Sequence, residues 1–278
     1  MELEQNIAGF KAKGYGVAAL SYDSPEVLKH FAERAKITYP LLSDPESKVI
    51  RAFGILNETV PKNNPFYGIP HPGTYLIDTR GKVVSKYFED DYTQRDTASS
   101  ILVREFGAAA GADHTTVDTK QLSLSSSASA KVVRSGQHLV LTLDIELKPK
   151  MHLYAPGVQE GYRPIEWVVG DTPAVGVAAV AFPESKILYL DAIKEKVPVY
   201  LGKLRLVREI TIGKDAALKP LVSATGEFTV EGEFKYQACD DRVCYIPATI
   251  PLKWTFILES HDRQRAPEEM RRKALKAN

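Results

Sequence analysis

The apolar periodicity of this 278-residue chain changes once, near residues 107–119, and that change limits the folds open to it. Before it, helix and strand signals alternate. MELEQNIAGFKAKG reads as the back half of a helix and YGVAALSYD as a buried strand. Ser24 then Pro25 sets an N-cap before proline at the first helical position, opening PEVLKHFAERAK. Asp44 with Pro45 repeats the device for PESKVIRAFG, which Gly54 ends. A loop rich in proline, asparagine and glycine leads to TYLIDTRGKVVSKYFE, two alternating strands turned at Asp78, Thr79, Arg80 and Gly81. A helix over 94–106 completes an α/β order that ends in an antiparallel hairpin.

Residues 107–119, GAAAGADHTTVDT, are small and polar without periodicity and read as a linker. From 120 to 259 helix signals vanish. Runs such as HLVLTLDIEL, KLRLVREITI, GEFTVEGEFKYQA and ATIPLKWTFIL recur between turn residues, the spacing of an antiparallel β-sandwich. Trp167 and Trp254, on alternating strands, are expected in its core. The charged tail, 260–278, reads as a solvated terminus with a short helix from Pro267. Two domains fit the length. A formal net charge of +1 argues against a nucleic-acid partner, since nothing would neutralise a run of phosphates. No stretch approaches the roughly 20 apolar residues that span a bilayer, and the N-terminus has no signal-peptide pattern, so it does not reveal the compartment.

Both cysteines of the chain, Cys239 and Cys244, stand in YQACDDRVCYIP. A metal site needs about four matched ligands, and the six histidines are scattered away from the pair, so no metal or other cofactor is expected. A structural disulfide is the serious rival. Alternating strands on both sides imply a hairpin loop that brings the cysteines to bridging distance. Yet closing a ring of about six residues stabilises by only about 2 kcal/mol, against about 4.7 for a 100-residue loop. Small exposed rings are easily reopened, so the spacing suits reversible exchange better than stapling. Asp240 and Asp241 follow Cys239 and disfavour its thiolate, each by roughly 0.7 kcal/mol at about 6 Å in water-like surroundings. Arg242 pushes Cys244 the other way, which makes Cys244 the sulfur expected to meet a partner.

Residues 10–90 resemble the AhpC/TSA peroxiredoxin group of thioredoxin-fold proteins. The resemblance is carried by VAALSYDSPEVLKHFAERAKITYPLLSDPESKVIRAFGI and GIPHPGTYLIDTRGKVV. The family's reactive cysteine opens its first helix, but residues 1–238 hold no cysteine, so no peroxidase activity is expected from this chain. Pro72 and Gly73 stand where the family has an assisting arginine, and His71-Pro72 resembles the proline loop of thioredoxin-like members. The family's first strand lies between those at 17–21 and 74–78. Its absence implies a thioredoxin-like fold with open edges in mid-sheet, and a Met1 that lies inside a longer reading frame.

Residues 130–257 resemble the N-terminal periplasmic domain of the thiol:disulfide interchange protein DsbD, through KMHLYAPG, VPVYLGKLRLVREITI and FKYQACDDRVCYIPATIPLKW. That resemblance implies an all-β immunoglobulin-like sandwich whose redox pair is Cys239 and Cys244, with Cys244 forming the mixed disulfide. It sets Tyr154 at an active-site aromatic and Asp191 at an acidic neighbour. His152 and Ile193 replace two further aromatics, and Tyr236 and Arg242 fall within the motif. The implied protein is an extracytoplasmic, periplasmic thiol–disulfide oxidoreductase. Its implied partners are other thiol proteins: a membrane reductase and thioredoxin-like proteins. Two alternatives stand beside it: a non-catalytic interaction module with a structural disulfide, and a fragment of a complete thiol peroxidase whose reactive cysteine precedes Met1.

Overall fold

The computed structural model describes residues 2–89, 91–190 and 194–271, with the side chains of 112–114 left aside. It divides into two compact units, one of 1–106 with the tail from 261 and one of 107–260.

The first unit runs α1 (Glu2–Ala12), β1 (Ala19–Ser21), α2 (Pro25–Ala35), β2 (Leu41–Ser43), α3 (Lys48–Ala52), β3 (Gly73–Ile77), β4 (Val83–Phe88), β5 (Arg95–Asp96) and α4 (Ala98–Phe106). Ser24 Oγ accepts the Val27 amide at 3.4 Å and Pro25 stands at the start of α2, as its sequence dictates. Helix α3 begins later than the Asp44-Pro45 signal places it, because Ser47 turns left-handed (φ 55°). The Asp44 carboxylate nonetheless accepts the Lys48 and Ile50 amides, each at 2.9 Å, and Gly54 (φ 68°) ends the helix. Glu2 reaches the start of α4, taking the Ala98 and Ser99 amides at 2.9 Å, where a carboxylate complements the helix dipole. Strands β1 and β2 pair in parallel and β3 and β4 antiparallel. Among the described residues these remain two separate ribbons, with no strand joining β1 to β3.

The described part of the tail, 261–271, is mostly exposed, and it also makes contacts within its own unit. Arg34 pairs with Asp262 at 2.7 Å and donates to Gln264 at 3.1 Å, and the Arg265 guanidinium lies over the Phe66 ring. One 3-10 turn, Glu268–Met270, follows Pro267. A charged stretch read as solvated finds partners on its own unit.

The second unit adds β6 (Ala112–Asp118), β7 (Leu122–Ala128), β8 (Val132–Val133), β9 (Gln137–Leu147), β10 (His152–Tyr154), β11 (Glu166–Val169), β12 (Val175–Ala181) and β13 (Lys186–Leu190). It continues with β14 (Glu195–Leu201), β15 (Lys203–Ile212), the short helix α5 (Asp215–Leu218), β16 (Glu227–Tyr236), β17 (Ala238–Cys239) and β18 (Ala248–Leu258). Three sheets result, ordered β12-β15-β9-β7-β6, β11-β16-β18-β8 and β13-β14-β10-β17. Their inward faces follow a period of two: Phe228, Val230, Phe234 and Tyr236 on β16, and Ile250, Leu252, Trp254 and Phe256 on β18, share one core with Leu139, Leu141 and Leu143 of β9. The indole rings of Trp167 and Trp254 meet there at 6.2 Å. Gly232 keeps β16 in phase, since a Cβ at that position would lie 2.6 Å from the Val168 carbonyl.

The segment read as a linker carries an edge strand. β6 pairs with β7 through Thr115↔Ser126, Thr116↔Ser125, Val117↔Leu124 and Asp118↔Ser123. Lys148 fixes its end by pairing with Asp118 at 2.7 Å, and Arg205 donates to the Gly107 and Ala108 carbonyls. An edge strand held by its backbone ladder needs few apolar side chains, so composition alone hides it.

Candidate functional site

The cysteine loop is built around one carboxylate. Asp240 Oδ1 accepts the Arg242 and Val243 amides, both at 2.8 Å, and its own amide donates to the Val243 carbonyl at 2.9 Å. Tyr245 Oη donates to the second oxygen at 2.9 Å. These bonds, led by the Val243 and Arg242 amides, hold the Asp240 carboxyl below the usual aspartate range. The Gln237 side-chain amide donates to the Tyr245 carbonyl, and the Tyr245 amide donates to the Ala238 carbonyl. Cys239 and Cys244 thus face each other as an antiparallel bridge, 4.0 Å apart at Cα and joined as a disulfide.

The two sulfurs sit in unlike surroundings. Cys239 is 1% exposed, in a cluster with Tyr154, Val197 and Val199 that Val158, Tyr162, Leu188 and Leu190 cover. Cys244 is exposed, between the exposed side chains of Val243 and, two residues on, Ile246, which is 89% exposed. Strand β10 aligns the pair, since His152 lies opposite Cys239 and Leu153 opposite Ala238, while its other edge pairs with β14.

Tyr154 Oη lies 3.6 Å from Cys244 Sγ, and burial raises its pKa, which keeps the hydroxyl protonated. Its ring packs on Tyr162 at 4.7 Å and edge-on to His152 at 5.5 Å. Tyr162 donates to Glu195, which pushes its own pKa up to about 12. His152 is buried, which lowers its pKa against the opposing pull of Asp240. Arg242 is exposed at the loop tip.

Of the residues singled out in the sequence, Cys239, Cys244, Tyr154 and His152 come together here, with Arg242 at the rim. Tyr236 does not join them. It is buried in the main core, stacked on Phe234 at 5.7 Å, with its hydroxyl on Thr119. Asp191 and Ile193 lie outside the described residues. Sequence reasoning overlooked Tyr162, whose loop has no periodic signal, and Tyr245, whose place directly after Cys244 was the available clue.

Each unit is similar to a different family. Residues 1–86 match the AhpC/TSA family, and residues 119–253 match the thiol:disulfide interchange protein DsbD, N-terminal. The architecture is a thioredoxin-like domain followed by a DsbD N-terminal domain, mostly β, and both matches belong to thiol redox chemistry. Peroxiredoxin Bcp of Escherichia coli (strain K12) is 34% identical over 100 residues, which cover 36% of this chain and 62% of that protein. Putative peroxiredoxin Rv2521 of Mycobacterium tuberculosis (strain ATCC 25618 / H37Rv) is 32% identical over 83 residues, or 30% of this chain and 52% of that protein. The chain therefore spans between 52% and 62% of the length of these curated relatives. Among solved structures, the N-terminal periplasmic domain of ScsB from Proteus mirabilis aligns with a TM-score of 0.35 and 13% identity over 54% of this chain and 52% of that one. The reduced DsbD N-terminal domain of Neisseria meningitidis aligns with a TM-score of 0.27 and 15% identity, over 42% of this chain and 79% of that one. No helix among the described residues is long and apolar enough to cross a membrane.

Proposed function

We propose that this chain exchanges disulfides through Cys239 and Cys244, with Cys244 as the sulfur that meets the partner. The observation that carries the reading is the asymmetry of the pair: Cys244 is open to solvent beside Tyr154 Oη, while Cys239 is buried behind it. A partner thiolate attacks Cys244 Sγ, the bond to Cys239 breaks, and Cys239 leaves as the sulfur that later resolves the mixed disulfide. Burial disfavours a thiolate at Cys239, which adds to the effect of the adjacent aspartates. Tyr154 shields the exposed sulfur and Arg242 favours its ionised form. The β-rich unit is read as an immunoglobulin-like sandwich that presents this loop.

The partners of this reading are thiol proteins outside the cytoplasm, a membrane reductase and thioredoxin-like proteins among them, by analogy with the DsbD N-terminal family. Residues 1–238 supply no sulfur nucleophile, so peroxide consumption by this chain stays at the level of the Cys239→Ser/Cys244→Ser double variant.

Trapping tests the assignment, using a thioredoxin-like partner whose resolving cysteine has been removed. Cys239→Ser is expected to form the covalent complex and Cys244→Ser to form none; the reverse pattern overturns the order of the sulfurs. A midpoint potential far below about −300 mV marks the bridge as structural and removes the exchange reading altogether.

A further inference from the structure

One polar atom in the site has no role in the reading above. His152 is 4% exposed, and its Nε2 has no hydrogen-bond partner among the described residues. Buried polar atoms are nearly always paired, so an orphan inside a functional cluster calls for a second state in which a partner appears. The register names that partner. His152 stands directly opposite Cys239, so both side chains leave the same sheet face, with Cβ atoms about 4.5–5.5 Å apart as for any such pair. In the disulfide, Cys239 has no proton to offer. In the dithiol, it has one.

We propose that His152 is the proton acceptor for Cys239, taking the thiol proton at Nε2 as Cys239 attacks the mixed disulfide at Cys244. The inference rests on the exchange reading and adds a role to it. Cys239–SH gives its proton to the neutral imidazole. The resulting thiolate forms a bond to Cys244 Sγ, the bond from Cys244 to the partner sulfur breaks, and the partner leaves as a thiolate. The imidazolium then returns its proton to solvent or to that thiolate. Buried Cys239 needs such a base, and among the described residues His152 is the one that stands directly opposite it in the sheet.

The surroundings fit a base that is neutral at rest. Strand β17 and its turn present Cys239 and Asp240, β14 presents the apolar Leu201, and β10 itself presents Tyr154, which stays protonated. Burial disfavours the charged imidazole, while Asp240 is the group among the described residues that steadies the imidazolium once formed.

The test is stopped-flow oxidation of the reduced protein by a chromogenic nitrobenzoate disulfide. Attack by Cys244 releases one coloured thiolate, and resolution by Cys239 releases a second. The two phases are followed from about pH 6 to about pH 9, which brackets the ordinary histidine and cysteine pKa values. In the unaltered protein the second phase is expected to level off by about pH 7. In His152→Phe it should be roughly tenfold slower at neutral pH and should keep rising toward about pH 8.5, the ordinary cysteine value. The first phase should change little. His152→Gln, which can hydrogen-bond but cannot take the proton, should behave like His152→Phe, and it carries the test if the phenylalanine variant does not fold. A second phase with the original rate and pH profile in the folded variants overturns the role of His152 and leaves the exchange reading standing. If the reduced unaltered protein releases no thiolate, both fall together.

Discussion

The two units spend similar elements on different kinds of closure. In 107–260 each long strand is paired, and Leu139, Leu141, Phe234, Trp254 and Phe256 lie within one continuous core. In the first unit, β1–β2 and β3–β4 stay separate ribbons among the described residues. Caps and turns are well formed in both, as Ser24, Asp44 and Asp78 show in the first and Thr119 and Asp240 in the second. Local signals therefore set the elements, but only a continuous sheet with two covered faces turns them into a sealed core.

The largest effect expected from this difference concerns solubility. A 1–106 fragment keeps its open ribbon edges and loses the Arg34 contacts to the tail, so it should self-associate, whereas 107–260 should sediment as a folded species. A monomeric 1–106 fragment that unfolds cooperatively breaks the comparison. Next in size is Trp254→Ala, which removes a ring that is 1% exposed and should cost about 3–5 kcal/mol. Both tryptophans lie in the second unit, so fluorescence-detected denaturant unfolding reports that unit alone. Ile50→Ala, in the first unit, should leave the fluorescence midpoint in place.

A smaller effect separates a linker from an edge strand. Beginning the second unit at 120 instead of 107 deletes β6 and bares the edge of β7. The loss of several ladder hydrogen bonds should lower stability by about 1–3 kcal/mol, read from the shift in urea midpoint. Equal midpoints for the two fragments return 107–119 to the status of a tether.

What could be read in the sequence follows range. Period-two runs placed β9, β16 and β18, and YQACDDRVCYIP marked the loop, because those signals lie within a dozen residues. Parity along the strand was also available and was missed. Tyr236 and Cys239 are three apart, and an odd separation in extended chain puts side chains on opposite faces, so Tyr236 faces the core and Cys239 the site. The relation of His152 to Cys239 spans 87 positions and exists only through the pairing of β10 with β17, which periodicity cannot report. The β6 ladder and the Arg34–Asp262 pair are invisible for the same reason: backbone bonds and distant charges leave no local pattern.

The smallest effect tests the cysteine loop, the part of the second unit that the core does not hold. Its turn depends on Asp240, whose carboxyl lies below its ordinary value of 3.8 because it accepts the Val243 amide, the Arg242 amide and the Tyr245 hydroxyl. A carboxyl depressed on folding stabilises the native turn above its unfolded pKa, and that contribution fades as pH falls through the folded value. Asp240 is half-buried at the surface of a loop, so the effect on global stability should be slight and best read locally. Amide chemical shifts of Arg242 and Val243 should titrate together with a midpoint below 3.8 and lie flat above it. Asp240→Asn should abolish that titration while keeping the fold, since the amide oxygen can still accept the Arg242 and Val243 amides and only the acceptor for the Tyr245 hydroxyl is lost. It should also make the disulfide easier to reduce, because a looser turn holds the two thiols less closely for re-oxidation. A midpoint at or above 3.8, or an unchanged reduction potential in the asparagine variant, means that the sheet edge rather than Asp240 positions the pair.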